Sequence, residues 1–198
     1  MAKLEHDLGV SATYFFRTKK YVLNRKIISE IYNLGHEIGY HYESLADQKG
    51  NMDAALKDFE LNLKKLRDIV PIHTISMHGR PLSRFDSRDI WQDKKNHQLL
   101  ISRYGIKGEV YLDIDYSNIA YINDTGRNWC SHRSNIRDRV DSDIQLDLPG
   151  QEEFITYLKS PHSKLVLSIH PERWHDDFYG YSFEFLRDKL INLVKYFL

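Results

Sequence analysis

The chain has 198 residues, and its 28 Lys and Arg are balanced by 28 Asp and Glu, so the formal net charge is zero. This balance argues against nucleic acid or a membrane surface as a partner, and the single Cys130 excludes an internal disulfide. No apolar run is long enough to span a bilayer, and the first residues lack the apolar region of a secretion signal. We therefore expect a cytoplasmic protein with one domain over residues 1–198.

Helical and β-prone segments alternate along the chain, which predicts an α/β fold with parallel strands. Asn24 is suited to cap a helix, and Gly9 and Gly35 are suited to end helices. The run Val-Ser-Ala-Thr-Tyr-Phe-Phe at 10–16 is strongly β-prone. The predicted elements, in chain order, are helix 3–8, strand 10–16, helix 24–34, strand 38–42, helix 51–70, strand 72–77, helix 96–104, strands 109–114 and 119–122, helix 151–159, strand 164–169 and helix 182–197.

Three predicted strands end in or near a histidine, and these are the main functional signal of the sequence. His41 lies in the segment Gly-His-Glu-Ile-Gly-Tyr-His-Tyr-Glu, His78 follows Thr-Ile-Ser-Met, and His170 follows Leu-Val-Leu-Ser-Ile. The carboxyl ends of parallel strands meet at one edge of a sheet or barrel, where α/β proteins place their chemistry. We therefore expect the three imidazoles to face one pocket, with Gly79 allowing a sharp turn after His78.

The order of these motifs resembles the polysaccharide deacetylase family. The matching segments are Gly-Val-Ser-Ala-Thr-Tyr-Phe-Phe at 9–16, Gly-His-Glu-Ile-Gly-Tyr-His at 35–41, Met-His-Gly-Arg-Pro at 77–81, Leu-Ser-Ile-His at 167–170 and His-Pro-Glu-Arg-Trp at 170–174. The resemblance covers nearly the whole chain. The motifs are similar to those of a divergent bacterial branch of the family. It implies a distorted, incomplete (β/α) barrel and a metal-dependent hydrolase that removes acetyl groups from N-acetylated sugars or polysaccharide.

The same resemblance implies roles for particular residues. His41 matches the first metal-binding His of the family, but the second His, four residues later, is replaced by Leu45. Glu43 or His78 is the substitute, since both are plausible ligands for a divalent ion, zinc being the one expected. Arg80 loosely matches an Arg-Pro motif at the substrate. His170 matches the general acid that protonates the leaving amine.

The start of the chain departs further from the family. Family members carry a metal-binding and catalytic Asp pair on a strand that precedes the helix ending at Gly9, and this sequence has no such strand. Either this chain is a shortened form of a longer active protein, or it has lost the acid–base machinery. Without that strand, the segment from Val10 to Phe16 has an unpaired edge. Exposed strand edges pair with other chains, so we expect self-association at this edge or a segment that covers it.

Several further polar residues are candidates for the site. A carboxylate partner would fix the tautomer of His170, and Asp113, Asp115 and Asp124 are the candidates. Asp124 and Arg127 follow a predicted strand and could bind sugar hydroxyls, with Trp174 at the lip of a pocket. The alternative reading of these residues is a turn and a packed surface indole. We interpret His36 as a structural residue at a helix end.

Three functions stay open at this point. The first is deacetylation of a carbohydrate substrate, with a metal ion polarising water and carbonyl and His170 acting as acid. The second is a glycan-binding or scaffold protein that kept the barrel and lost its chemistry, which the missing Asp pair and second His favour. The third is a metal hydrolase that acts on an amide or ester outside sugars.

Overall fold

The protein is described by a computed structural model. The structure describes residues 1–80, 83–124, 129–130, 140–160, 164–171, 174–175 and 177–196. Over these residues it is a mixed α/β protein with parallel strand pairing and eight helices. The chain divides into two compact units, Met1–Ile114 and Asp115–Leu198, which are treated separately below. Within the described ranges, no helix combines the length and the apolar character needed to cross a bilayer.

The first unit is built on a four-stranded parallel sheet in the order β1-β2-β3-β4. Its strands are β1 (Thr13–Phe16), β2 (Glu37–Tyr42), β3 (Thr74–Met77) and β4 (Gly108–Glu109). Phe16 lies opposite Tyr40, and Tyr42 lies opposite Met77. The carboxyl ends of β1, β2 and β3 therefore come to the same edge of the sheet, as the alternation of helix and strand predicts.

Six helices belong to the described part of this unit, and Asn24 and Asn51 mark the starts of two of them. They are α1 (Ala2–Asp7), α2 (Arg25–Asn33), α3 (Ser44–Asp47), α4 (Met52–Arg67), α5 (Asp89–Gln92) and α6 (Lys94–Ser102). The side chain of Asn24 accepts a hydrogen bond from Ile27 N–H, and that of Asn51 accepts one from Ala54 N–H. Gly35 adopts a φ of 89° just after α2. The predicted bounds of α2 and the predicted start of α4 are confirmed, because local capping decides them. The helix predicted over 51–70 ends earlier, at Arg67, and the one predicted over 96–104 spans Lys94–Ser102.

One apolar cluster forms the core of this unit and holds the sheet edge in place. Tyr40 and Tyr42 of β2 pack against Phe59 of α4, with ring centroids 5.2 and 5.8 Å apart. Trp91 of α5 closes the group at 4.7 Å from Phe59. Phe59 is fully buried, and burial of such a ring contributes about 2 kcal/mol. The residue four places after His41, Leu45, is also buried in this core.

The two largest errors in the predicted strand boundaries have local causes. The strand predicted from Val10 starts only at Thr13, because Gly9 N–H bonds to His6 O and Val10 N–H bonds to Glu5 O. These two bonds form the C-terminal motif of α1, with Gly9 at a φ of 71°.

The strand predicted over 109–114 ends at Glu109. Its side chain accepts from Tyr111 and Leu112 N–H, and Asp113 accepts from Glu109 N–H. Such side-chain bonds compete with a strand ladder.

The second unit contains a parallel strand pair and a short antiparallel one. Its elements are β5 (Ala120–Asn123), β6 (Trp129–Cys130), β7 (Asp147–Leu148), α7 (Gln151–Lys159), β8 (Leu165–Ser168) and α8 (Phe178–Tyr196). β5 pairs with β8 in parallel, with Asn123 opposite Ser168, and β6 pairs with β7. The predicted helix 151–159 is confirmed, whereas the closing helix begins four residues before the predicted Ser182.

Candidate functional site

The first residue after each of three neighbouring strands carries a polar group at the same sheet edge. Arg17 follows β1, Glu43 follows β2 and His78 follows β3. Parallel pairing brings these three positions together, and His78 N–H extends the ladder by donating to Tyr42 O at 2.8 Å. The sequence predicts that Glu43 and His78 follow strand ends, and the parallel pairing of β2 with β3 brings the two residues together.

Glu43 is buried at this edge and is surrounded by nitrogen atoms. Arg17 Nη2 donates to both of its carboxylate oxygens, at 2.9 and 3.1 Å, and Lys19 Nζ lies 3.2 Å from Oε1. Lys19 also pairs with Asp47, which accepts from Arg80 Nη1 at 2.8 Å. These ion pairs form one chain of alternating charge. We name its members, together with the adjacent imidazole, the edge cluster: Arg17, Lys19, Glu43, Asp47, His78 and Arg80.

The electrostatics of Glu43 keep its carboxylate ionised. Burial opposes the charge, but the contacts with His78 and Arg17 outweigh burial and hold the pKa of Glu43 well below its usual range. His78 Nδ1 lies 3.2 Å from Glu43 Oε2. This is ion-pair distance, although the atoms are not aligned well enough for a hydrogen bond. Glu43 therefore acts as a fixed negative charge behind three nitrogen-bearing side chains.

His41 and His78 lie side by side, as the sequence predicts for two of its three histidines. Their ring centroids are 4.9 Å apart and their planes are perpendicular. His41 Nδ1 lies 2.9 Å from Ser76 O. A carbonyl oxygen only accepts, so Nδ1 carries the proton and Nε2 is the basic nitrogen of the neutral ring.

The edge cluster is a poor match for the divalent ion that the motifs imply. Both oxygens of Glu43 already accept from Arg17, and Lys19 lies at the same carboxylate. A divalent ion bound to Glu43 would have to displace these cations or tolerate their repulsion. Across the described parts of the chain, no group of three His, Cys, Asp or Glu side chains is placed to hold a metal. The residues do not fit a metal in this arrangement, and zinc at His41, Glu43 and His78 stays a prediction.

The turn after His78 differs from the expected one. Gly79 does not adopt a positive φ, and a Cβ built on it would meet no atom within 4 Å. The special freedom of glycine is therefore not what turns His78 toward the edge. The ladder bond from His78 N–H to Tyr42 O fixes its backbone instead.

In the second unit, His170 has a carboxylate partner at the carboxyl ends of β5 and β8. Asp124 Oδ1 lies 2.7 Å from His170 Nδ1, and Asp124 Oδ2 accepts from His170 N–H at 2.7 Å. Trp174 Nε1 donates to the same Oδ2 at 2.9 Å. Although burial opposes its charge, these bonds lower the pKa of Asp124. Because a carboxylate only accepts, His170 carries its proton on Nδ1, which leaves Nε2 as the basic nitrogen.

No protein-family model, curated protein or solved structure matches this chain. The resemblance to polysaccharide deacetylases therefore depends on the ordered motifs, and it stays a prediction. The geometry of the two sites is the independent information about function.

The structure distinguishes among the three predicted carboxylate partners of His170. Among the candidate partners of His170, Asp113 instead contacts His97 at 2.7 Å and Asp115 accepts from Ser117. Asp124 is the partner, and its role with Trp174 in binding substrate stays a prediction. Arg127 lies outside the described residues.

His36 is structural, as predicted. It is buried, with Nδ1 accepting from Ala12 N–H and Nε2 lying 2.8 Å from Ala2 O. The strand before His170, β8, is only partly buried, and Leu167 on it is exposed.

Sequence reasoning missed the buried Glu109, which ends β4. Its carboxylate accepts from the N–H groups of Met77, Tyr111 and Leu112 at 2.7 to 3.1 Å, and Tyr42 Oη lies 3.4 Å away. Burial raises its pKa to about 7, against the opposing effect of the N–H donors. The available signal was a charged residue inside a predicted strand. Sequence reasoning also missed Arg17, Lys19 and Asp47. Charged residues after strands are usually solvent-exposed, so their type and position did not indicate a site.

Proposed function

We propose that this chain is a hydrolase of the polysaccharide deacetylase type, with its strands arranged as a distorted, incomplete (β/α) barrel. The substrate class is an N-acetylated sugar or polysaccharide, and the place of action is the cytoplasm. The contact of 2.7 Å between Asp124 and His170 carries this proposal. It supports an acid–base role because a buried carboxylate at Nδ1 fixes the ring and stabilises its protonated form.

The reaction needs one proton removed from water and one delivered to nitrogen. His170 Nε2 takes the proton of the attacking water as its oxygen bonds to the acetamide carbon. The same nitrogen then protonates the amine as the carbon–nitrogen bond breaks, which releases acetate and the free amino sugar. Asp124 stays ionised and orients the ring, and the exposed indole of Trp174 offers an apolar face to a sugar.

The test is acetate release from N-acetylated oligosaccharides by the full chain, with His170→Ala as the main variant. Release that falls by about 10² to 10⁴ in the variant supports the proposal. No release by the wild type, with or without added Zn²⁺, contradicts it. A folded variant, checked by thermal unfolding, is needed for either conclusion.

A second function, glycan binding without catalysis, is favoured by the first unit. Leu45 replaces the second family His and is buried in the core, and Arg17 and Lys19 occupy the oxygens of Glu43. Under this alternative, oligosaccharides bind and are recovered with their acetyl groups intact. Acetate release that depends on His170 rules it out.

A further inference from the structure

The edge cluster has an excess of positive charge at the surface of the first unit. Its ion pairs join the cations Arg17, Lys19 and Arg80 to the carboxylates of Glu43 and Asp47. Three cations and two carboxylates leave a formal charge of +1, and protonation of His78 would add another.

The two signs of charge also differ in their exposure to solvent. The side chains of Glu43 and Asp47 are 6% and 18% exposed, whereas those of Lys19 and Arg80 are 32% and 46% exposed. Arg17 is intermediate at 24%. The carboxylates lie behind the cations and hold them in place, so an approaching molecule meets nitrogen donors first. Such an arrangement attracts negative charge and repels a divalent cation.

The three cations come from two different strand ends, which gives the cluster the geometry of a binding site. Arg17 and Lys19 follow β1, and Arg80 follows β3. Asp47, from α3, contacts both Lys19 and Arg80 and so brings them to one carboxylate. Arginine and lysine donors fixed in this way are the usual partners of carboxylate and phosphate oxygens.

We propose that the edge cluster binds an anionic group, the carboxylate or phosphate of a small molecule, through Arg17, Lys19 and Arg80. The shared chemistry is a group with several negatively charged oxygens. An acidic sugar supplies it as a carboxylate, and a phosphorylated metabolite supplies it as a phosphate. This inference goes beyond the proposed hydrolase and does not depend on His170.

Calorimetric titration of the full chain tests the proposal, with glucuronate and inorganic phosphate as separate probes and glucose as the neutral control. We expect one or both anions to bind, with affinity that falls as salt is raised. Binding of only glucuronate identifies a carboxylate site, and binding of only phosphate identifies a phosphate site. Glucose is expected not to compete.

Two variants and a matched control assign the binding to the cluster. Lys19→Met and Arg80→Gln should each weaken anion binding by about tenfold, the loss of one charge-assisted contact. Arg103→Gln removes a guanidinium that pairs with Glu60 on another surface of the same unit, and it should change nothing. Thermal unfolding of all three variants shows that they are folded.

Three results would overturn the inference. They are no binding of either anion, equal weakening by Arg103→Gln, and stoichiometric Zn²⁺ uptake that is lost in His78→Ala. The His170→Ala variant separates this proposal from the hydrolase, because it should lose acetate release and keep its anion affinity. Anion binding in a wild type that releases no acetate would support the edge cluster and reject the hydrolase.

Discussion

Asp124 contacts His170 twice, once at the imidazole Nδ1 and once at the backbone N–H, both at 2.7 Å. The two residues are separated by 46 positions in the sequence but adjoin each other because β5 and β8 pair in parallel. The backbone contact fixes the position of His170, and the side-chain contact fixes its tautomer. A single carboxylate therefore orients the imidazole in both respects.

Asp124→Asn is expected to reduce acetate release by about 10² to 10⁴, because an amide cannot stabilise the protonated ring. The double variant with His170→Ala should be no slower than His170→Ala alone, since the two residues act as a unit. Asp115→Asn is the matched control, because Asp115 contacts Ser117 and not His170.

The tautomer of His170 can be followed by nitrogen NMR independently of activity. Asp124→Asn should increase the population with the proton on Nε2. An unchanged tautomer in Asp124→Asn would contradict the role assigned to the carboxylate.

The free energy of unfolding of the first unit should decrease at acidic pH because of Glu43. The contacts with His78 and Arg17 lower its folded-state pKa below the usual value of 4.5, so the charged form is favoured in the fold. The stabilisation is present above pH 4.5 and is lost as the pH falls toward the folded pKa.

Glu43→Gln should flatten this acid dependence and lower the free energy of unfolding at pH 7 by about 2 kcal/mol. Urea unfolding at a series of pH values measures both effects. Glu60→Gln, at an exposed ion pair with Arg103, is the control and should leave the curve unchanged.

Glu109 should make the free energy of unfolding depend on pH in the opposite sense, and in a higher pH range than Glu43. Burial raises its folded-state pKa to about 7 from 4.5. The associated stabilisation is complete below pH 4.5 and decreases as the pH rises through 7. Glu109→Gln should remove this slope.

The same variant should also destabilise the fold by about 1 to 3 kcal/mol, because the new amide group would face the N–H donors of Met77 or Tyr111. Urea unfolding between pH 4 and 8 tests both statements. A variant as stable as the wild type at pH 7 would show that the hydrogen bonds to Glu109 contribute little.

Much of the fold follows from local signals in the sequence. Asn24 and Asn51 set the starts of two helices, and Gly9 and Gly35 mark helix ends, because capping depends on neighbouring residues only. The shortened strand at Glu109 could not be predicted. Its own side chain binds the following N–H groups, and a β-prone composition does not show that competition.

The sites were only partly predictable, for a different reason. Strand order brings Glu43 beside His78 and Asp124 beside His170, and the sequence places these residues correctly at strand ends. The sequence did not reveal the ion pairs from Arg17 to Glu43. Pairing between distant segments depends on strand register and burial, which periodicity alone does not specify.

Gly39 is predicted to be intolerant of any side chain, unlike Gly79. A Cβ built on Gly39 would overlap the ring of Phe15, which covers it from the neighbouring strand β1, whereas the position at Gly79 is open. Gly39→Ala should therefore lower the free energy of unfolding by about 1 to 3 kcal/mol. Gly79→Ala should be near neutral, and urea unfolding of the two variants compares them directly. Equal losses would show that the Phe15 ring moves aside freely.

β1 is the end strand of the four-stranded sheet in the described part of the chain, and this supports the prediction of self-association at its edge. Leu8 and Val10, just before β1, are 70% and 51% exposed. Unpaired strand edges with apolar neighbours tend to pair with another chain, and lysine at such edges prevents it. We therefore expect the apparent mass in sedimentation to rise with concentration, and Val10→Lys to suppress this rise.

The exposed position of Val10 means that the substitution should not affect folding, which thermal unfolding can verify. Ile101→Lys is the matched control, because Ile101 is 53% exposed on α6, away from the strand. If both variants suppress association equally, a general loss of surface apolarity is responsible and the edge of β1 is not the contact. A wild type that stays monomeric at every concentration would reject self-association and leave the other expectation, a segment of the chain that covers the edge of β1.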